Sequence, residues 1–180
     1  GLPPRPTDGP RPAVARKTGH MAWMKPLPED WERALAVAAH PDDLEYGAAS
    51  AIARWTDQGK SITYVLVTDG EAGIDSMSPE QAGPLRRDEE VASAREVGVD
   101  TVDFLGLPDG MVEADHVTRR ALAAAIRRHR PEVLICPNFR ETVGFPGWNH
   151  VDHRNVGVAL LDAADELARA PVRLDNAIAR

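Results

Sequence analysis

ALAVAAHPDDLE, residues 34–45, joins a short apolar run to a histidine, a proline and two adjacent aspartates. An apolar run of this length that stops at Pro41 is typical of a buried strand of a parallel sheet. The neighbouring carboxylates of Asp42 and Asp43 repel each other, so we expect a positive charge close to them. A metal ion would supply that charge, with His40 as a further ligand.

A second group of polar residues lies near the end of the chain, in NHVDHR at residues 149–154. His150 and His153 are three residues apart, which places them on one face of a helix that begins there. Hydrolytic zinc sites combine three protein ligands with one position for water. Two imidazoles and one carboxylate would leave the ion with a net positive charge, and such an ion lowers the pKa of its water from ~15.7 to ~7. Fe(II) and Co(II) also suit these ligands.

The two adjacent aspartates can have different roles in a hydrolytic site. Adjacent residues that leave a strand point in different directions, so one carboxylate can bind the metal while the other takes a proton from water. We assign Asp43 to the metal and Asp42 to proton transfer. The histidine of the second pair that does not bind the metal would face the substrate carbonyl, and Asp152 would orient a histidine.

The rest of the chain predicts the fold that carries these motifs. Apolar and β-branched runs predict four strands, at residues 34–40, 61–68, 101–106 and 132–138. Helical patterns follow each of them, at residues 46–59, 84–99, 115–130 and 150–169. This alternation indicates an α/β fold, Rossmann-like and doubly wound, with a mainly parallel sheet and helices on both faces. Ligands bind beyond the carboxyl ends of such strands, so both motifs can reach one site.

Composition restricts the class of protein and its partners. The 180 residues suit one compact domain, and 43% of them are hydrophobic, which is enough for an ordinary core. The formal net charge of −7 argues against nucleic acid or an anionic membrane as a partner. Cys136 is the single cysteine, so no internal disulfide forms, and no apolar run approaches the ~20 residues that cross a bilayer. We therefore expect a cytoplasmic protein.

The sequence divides into two regions of different composition. Residues 1–30 are rich in proline, glycine and arginine and have no apolar periodicity, which predicts a flexible N-terminal arm. Residues 31–180 contain every predicted strand and helix and both polar motifs. This second region is the predicted functional domain.

The polar motifs, taken as a pair, are similar to those of a known family. AHPDDLE (39–45) with HVDHR (150–154) resembles the two signature motifs of the LmbE-like, or PIG-L, family of zinc-dependent N-deacetylases. Further stretches resemble that family in the same order: VTDGEAG (67–73), RRDEE with the later GV (86–99) and FLGLPDG (104–110). The resemblance implies that residues 31–180 form an LmbE-like deacetylase domain.

The resemblance also implies a role for the residues of the first motif. His40 and Asp43 match two metal ligands of the family, and His153 from the second motif matches the third. Asp42 matches the general base. Many members have glutamate directly after the second aspartate, whereas this chain has Leu44 there.

The remaining matched residues concern the substrate. His150 matches the histidine that stabilises the tetrahedral oxyanion and protonates the leaving amine, and Asp152 matches the carboxylate that tunes this site. Arg86 matches an arginine of the substrate pocket, and Asp109 lies where the family holds a substrate hydroxyl. From the residues alone, His150 could instead be a fourth ligand that closes the metal site.

The function that the resemblance implies is zinc-dependent hydrolysis. Such an enzyme would remove an acyl group, acetyl above all, from the amine of an N-acyl amino sugar or its glycoconjugate. Its partner would be that small molecule, and the sequence also allows a homo-oligomer. One alternative is an amidase that cleaves a larger amide such as a thiol conjugate. Another is a catalytically silent binding module of the same fold.

Overall fold

A five-stranded parallel sheet forms the centre of the computed structural model, which describes residues 26–144, 147–167 and 173–176. The strands of this sheet are β1 (Arg33–Ala38), β2 (Ser61–Leu66), β3 (Thr101–Phe104), β4 (Val133–Cys136) and β7 (Arg173–Asn176). Their order in space is β3-β2-β1-β4-β7, and every neighbouring pair is parallel. A separate antiparallel pair consists of β5 (Thr142–Gly144) and β6 (Gly147–Trp148).

Helices connect the strands of the sheet. In the described ranges they are α1 (Asp43–Gly47), α2 (Ala49–Asp57), α3 (Pro79–Glu96), α4 (His116–His129) and α5 (Val151–Asp162). A π-helical turn, Ala163–Leu167, continues α5. Within those ranges, no helix combines the length and the apolarity that crossing a bilayer requires.

The helices cover both faces of the sheet. One core cluster packs β1 and β4 against α4 and α5, and it includes Leu35, Val37, Leu122, Ile126, Leu134 and Leu160. The other packs β1 and β2 against α1, α2 and α3, and it includes Ala36, Ala38, Leu44, Ile52, Trp55, Tyr64 and Ala94. Successive residues of β1 enter different clusters because side chains alternate along a strand. The doubly wound α/β fold predicted from the sequence is therefore confirmed.

Strand β1 occupies the centre of the sheet because its apolar run suits burial on both faces. Only Arg33, its first residue, is exposed. β1 pairs with β2 on one side and with β4 on the other, so the strand order reverses direction between β1 and β4. Open parallel sheets bind ligands at such a reversal, outside the carboxyl ends of the strands. The segment that begins with His40 leaves β1 at this edge.

Helix α3 begins earlier than the sequence pattern indicates. The pattern predicts a helix over residues 84–99, but the helix begins at Pro79. Ser78 and Gln81 form a capping box, in which the Ser78 N–H donates to Gln81 Oε1 at 3.4 Å. Proline is favourable in the first turn of a helix at either position, but only the start at Pro79 also has a capping box. The helix therefore begins at Pro79 and not at Pro84. Pro84 lies inside the helix, where it removes one backbone hydrogen bond.

Other boundaries differ in smaller ways. The helix predicted over 46–59 is divided into α1 and α2 at Ala48, and the loop predicted over 139–149 contains β5 and β6. The helix predicted over 150–169 is confirmed as α5 and its π-helical turn as far as residue 167. β7 was not predicted. Most of the predicted N-terminal arm, residues 1–25, lies outside the described residues.

Candidate metal centre

A cavity of about 400 Å³ opens at the carboxyl edge of the sheet, where the strand order reverses. The loops after β1, β2 and β3, the helix α3 and the start of α5 contribute its walls. Its lining includes His40, Asp42, Asp43, Arg86, Asp109, His150 and His153. The structure therefore brings seven of the eight residues singled out from the sequence to one cavity, and the eighth, Asp152, is fully buried.

Three of these side chains converge as metal ligands would. His40 Nδ1 lies 3.2 Å from His153 Nε2, although 113 residues separate them in the chain. Asp43 Oδ1 lies 3.0 Å from His153 Nε2, and Asp43 Oδ2 lies 3.7 Å from His40 Nδ1. One ligand atom from each residue lies within 4.8 Å of the other two. Two imidazole nitrogens and a carboxylate oxygen at this spacing suit one divalent cation.

The turn after β1 holds the carboxylate of Asp43 in place. Asp43 Oδ2 accepts the backbone N–H groups of Ala39 and His40 at 3.1 and 2.9 Å. These two bonds close the turn on the carboxylate and leave Oδ1 directed at His153. Because ligand and turn belong to the same short segment, the local sequence is sufficient to orient this group.

A neighbouring asparagine fixes the imidazole of His153. His153 Nδ1 lies 2.9 Å from Asn149 Oδ1, and the Asn149 amide donates to the carbonyl oxygens of Asn138 and Arg140. Since the asparagine oxygen can only accept, Nδ1 carries the ring hydrogen of the neutral imidazole. The lone pair of Nε2 is then free for a cation, which is the usual arrangement around metal-binding histidines.

The pKa values of Asp43 and His153 move in opposite directions. Burial opposes the charged form of each group, but their mutual hydrogen bond and charges are stronger in sum. The pKa of the Asp43 carboxyl is lowered, and the pKa of the His153 imidazole is raised. Protons therefore compete with a cation for His153 more strongly than they would at an isolated histidine.

Two carboxylates hold the opposite side of the His40 ring. His40 Nε2 lies 2.9 Å from Asp109 Oδ1 and 3.1 Å from Asp152 Oδ2. Asp152 also accepts the backbone N–H groups of Gly110 and Val112 at 2.7 and 3.2 Å. With Nε2–H donating to carboxylates, His40 presents Nδ1 to the cluster. Asp109, expected from the resemblance to hold a substrate hydroxyl, thus also contacts a candidate ligand.

His150 lies beside the cluster and is exposed. Its ring centroid is 5.0 Å from that of His40 and 5.5 Å from that of His153. A second group of potential ligands, formed by His40, His150 and Asp152, also lies within 4.8 Å. Both carboxylate oxygens of Asp152 accept backbone N–H groups, whereas Asp43 accepts its two on Oδ2 alone and keeps Oδ1 for a cation, so the group formed by His40, Asp43 and His153 suits a cation better.

Asp42 borders the cavity and is paired with Arg86. Arg86 Nη2 donates to Asp42 Oδ2 at 3.0 Å and also to the carbonyl oxygen of Pro41. Gly70, with a φ of +66°, lies against Pro41 and Arg86, because a Cβ there would be 2.9 Å from Pro41 Cδ and 3.1 Å from Arg86 Nε. The structure therefore places Arg86 at the cavity wall, as expected, but in contact with the candidate base.

Glu90 is a site residue that the sequence analysis missed. It is 1% exposed, and its Oε2 accepts the backbone N–H of Asp42 at 3.0 Å. The charged run RRDEE suggests a solvated helix face. The spacing of Glu90 along the helix indicates instead that its side chain is buried. Glu90 lies one helical turn after Arg86 and one before the buried Ala94, on the face of α3 that meets the sheet.

Fold and site together define a class of protein: a doubly wound α/β domain with a candidate metal-binding cluster of histidine and aspartate at the carboxyl edge of its sheet, where the strand order reverses. The chain belongs to the PIG-L family, described as GlcNAc-PI de-N-acetylase, which matches residues 35–164. The family indicated by the two motifs is thereby confirmed.

Several curated relatives are similar to most of the chain. Diacetylchitobiose deacetylase of Thermococcus kodakarensis is 29% identical over 74% of this chain and 49% of its own length. The 1D-myo-inositol 2-acetamido-2-deoxy-alpha-D-glucopyranoside deacetylase of Streptomyces avermitilis is 30% identical, over 82% of this chain and 58% of its own length. Mycothiol S-conjugate amidase of Streptomyces coelicolor is 30% identical, over 76% of this chain and 54% of its own length. The chain thus spans about half the length of the curated relatives it matches.

A solved structure shares this fold. The N,N'-diacetylchitobiose deacetylase from Pyrococcus horikoshii, in complex with its inhibitor MPG, superposes with a TM-score of 0.70 and 26% identity. The match covers 78% of this chain and 54% of that one.

Proposed function

We propose that this chain carries the catalytic centre of a metal-dependent hydrolase that removes an acetyl group from the amine of an N-acetyl amino sugar or its glycoconjugate. One observation carries the proposal: His40, Asp43 and His153 converge beside Asp42 in a cavity at the reversal of the sheet. Relatives named as deacetylases of diacetylchitobiose and of an N-acetylglucosaminyl inositol support the reaction and the type of substrate.

His40, Asp43 and His153 would hold the cation. Their two nitrogens and one carboxylate suit Zn²⁺, and Fe²⁺ or Co²⁺ would also fit this donor set. When bound, such an ion supplies Lewis acidity, which polarises an amide carbonyl and makes water more acidic. Asp109 and Asp152 hold the His40 ring from the opposite side, so the ligand is oriented before any ion binds.

Asp42 is the proposed general base. Its side chain is 52% exposed and borders the cavity, so one carboxylate oxygen can take a proton from an attacking water molecule. The other oxygen accepts from Arg86, which limits the rotation of the carboxylate. The same group can return the proton to the nitrogen of the leaving amine.

His150 is the proposed stabiliser of the tetrahedral oxyanion. Its Nδ1 accepts the backbone N–H of Asp152 at 3.2 Å. In the neutral ring Nε2 then carries the hydrogen, so His150 presents a donor to the cavity. A donor that faces a developing negative charge lowers the barrier by several kcal/mol. His150 keeps its hydrogen in this step, and the proton that Asp42 took from water completes the cleavage by passing to the leaving amine.

The size of the cavity agrees with a small substrate. About 400 Å³ is within the range of sites for sugars and other small molecules. Arg86 and Asp109 supply a donor and an acceptor for sugar hydroxyls. We further propose a cytoplasmic protein with a catalytic domain at residues 31–180.

A second candidate function is hydrolysis of a larger amide. The relative named mycothiol S-conjugate amidase supports it, since it is as similar in identity as the deacetylase of Streptomyces avermitilis. The same residues would act in both reactions, and only the pocket would differ. A silent binding module would bind a cation or a sugar without turnover. Rates measured on N-acetyl sugars and on thiol conjugates distinguish these three functions.

The decisive experiment compares the wild-type protein with Asp42→Asn after both are loaded with zinc. We expect the wild type to release acetate from diacetylchitobiose or an N-acetylglucosaminyl inositol. We expect Asp42→Asn to keep its bound zinc and to lose activity by about 10²- to 10⁴-fold, because a general base contributes that much. A variant that retains both its metal and its full hydrolytic rate would contradict the assignment of the base.

A further inference from the structure

One face of α3 contacts the candidate base at two points. Arg86 and Glu90 are four residues apart, so their side chains lie on the same face of the helix. Arg86 Nη2 donates to the carboxylate of Asp42, and Glu90 Oε2 accepts its backbone N–H, each at 3.0 Å. The helix thus binds both the side chain and the main chain of one residue.

The backbone of Asp42 needs such support because its conformation is unusual. Its φ of 86° and ψ of −18° are in the left-handed region, which L-residues other than glycine rarely adopt. Among the described residues, Arg130 is the only other non-glycine residue with a positive φ. The conformation separates the directions of Asp42 and Asp43, so that one borders the cavity and the other joins the metal cluster.

Glu90 makes this contact from a buried position next to the carboxyl of Glu45. Its carboxyl is 1% exposed, and among the described residues Oε1 has no hydrogen-bond donor. Burial and the adjacent carboxyl of Glu45 raise the pKa of Glu90 to about 7, against the opposing effect of the Asp42 N–H. A buried acid next to a second acid lowers the stability of a domain. A functional role would explain why such a residue is kept.

We propose that Glu90 is a positioning residue for the reaction: its carboxylate oxygen holds the backbone N–H of Asp42 and thereby maintains the left-handed turn that directs the base into the cavity. The proposal rests on the function assigned to Asp42 above. It requires an acceptor oxygen at the reach of a glutamate, and it does not require the negative charge.

This requirement separates positioning from a purely electrostatic or packing role. Glu90→Gln keeps an acceptor oxygen at the same reach and removes the charge. Glu90→Asp keeps the charge but withdraws the oxygen by one methylene. Glu90→Met fills the space without any acceptor. Glu89, the exposed preceding residue, provides a matched control as Glu89→Met.

The test combines steady-state kinetics of the zinc-loaded protein with amide hydrogen exchange at Asp42. We expect kcat to fall about 10- to 100-fold in Glu90→Asp and Glu90→Met with little change in KM, because small misplacements of a catalytic group cost this much. Glu90→Gln should restore most of kcat, and bound zinc should be unchanged in all variants. The Asp42 amide should exchange slowly in wild type and Glu90→Gln and at least about tenfold faster in Glu90→Asp.

The two readouts keep this proposal separate from the proposed function. Hydrogen exchange tests the contact even if the wild type hydrolyses none of the substrates, which would refute the function alone. An Asp42 amide that exchanges equally in wild type and Glu90→Asp would overturn the positioning role. So would a Glu90→Asp protein with normal kcat, or a Glu90→Gln protein that is impaired as strongly as Glu90→Met.

Discussion

Replacement of Glu90 by glutamine should stabilise the protein at alkaline pH and much less at acidic pH. The pKa of this buried carboxyl is raised from an ordinary 4.5 to about 7. A raised pKa means that the folded state binds the proton more tightly than the unfolded state. The stability that the proton provides is present at low pH and is lost as the pH rises through 7.

The magnitude follows from the size of the shift. Each pKa unit corresponds to about 1.4 kcal/mol, so the full shift costs the wild type about 3 kcal/mol once Glu90 ionises. Glutamine carries no charge at any pH. Between pH 5 and pH 8, the free energy of unfolding of Glu90→Gln relative to wild type should therefore rise by about 2–3 kcal/mol.

Urea unfolding of the metal-free proteins at the two pH values measures this difference. The buried tryptophans Trp31 and Trp55 provide the fluorescence signal. Comparison of two proteins at each pH removes the contribution of all other titrating groups. Glu89→Gln, at the exposed neighbouring position, should show no pH-dependent gain. If the advantage of Glu90→Gln is the same at pH 5 and pH 8, then Glu90 is not a perturbed buried acid.

Two further predictions concern the metal and the packing around it. Because Asp43 raises the pKa of His153, protons compete with zinc there, and zinc affinity should fall as the pH is lowered. A competition titration that gives the same zinc affinity at every pH would contradict this. Gly157→Ala should lower the free energy of unfolding by about 1–3 kcal/mol, since its Cβ would overlap the side chain of Phe139. Gly47→Ala, with no atom within 4 Å of the new Cβ, is the matched control and should be nearly neutral in the same urea assay.

Local patterns were enough to predict most of the fold. The apolar run that ends at Pro41 and the alternation of strands with helices gave the parallel sheet and its two helical layers. Boundaries were less predictable where two start signals compete, as at Pro79 and Pro84. β7 was missed because its segment, RLDN, lacks the apolar run that indicated the other strands of the sheet.

In the candidate site, too, some contacts follow from the local sequence and others depend on residues that are distant in the chain. His40 and Asp43 are close in sequence, and the Ala39 and His40 N–H groups that orient Asp43 belong to the same turn. The contact of His153 with these residues depends on the adjacency of β1 and β4 in the sheet. The expected roles of Arg86 and Asp109 remain predictions, but neither residue was expected to contact Asp42 or His40.

By itself, the sequence determined the chemistry: which side chains could bind a cation, which could move a proton, and the kind of sheet that would carry them. Tertiary structure alone decided the arrangement, including the ring nitrogen that His40 presents and the burial of Glu90 beneath Asp42. The physical reason is that ligand types and strand patterns are properties of short segments. Orientation and burial arise only when distant segments pack against one another and fix each other's side chains.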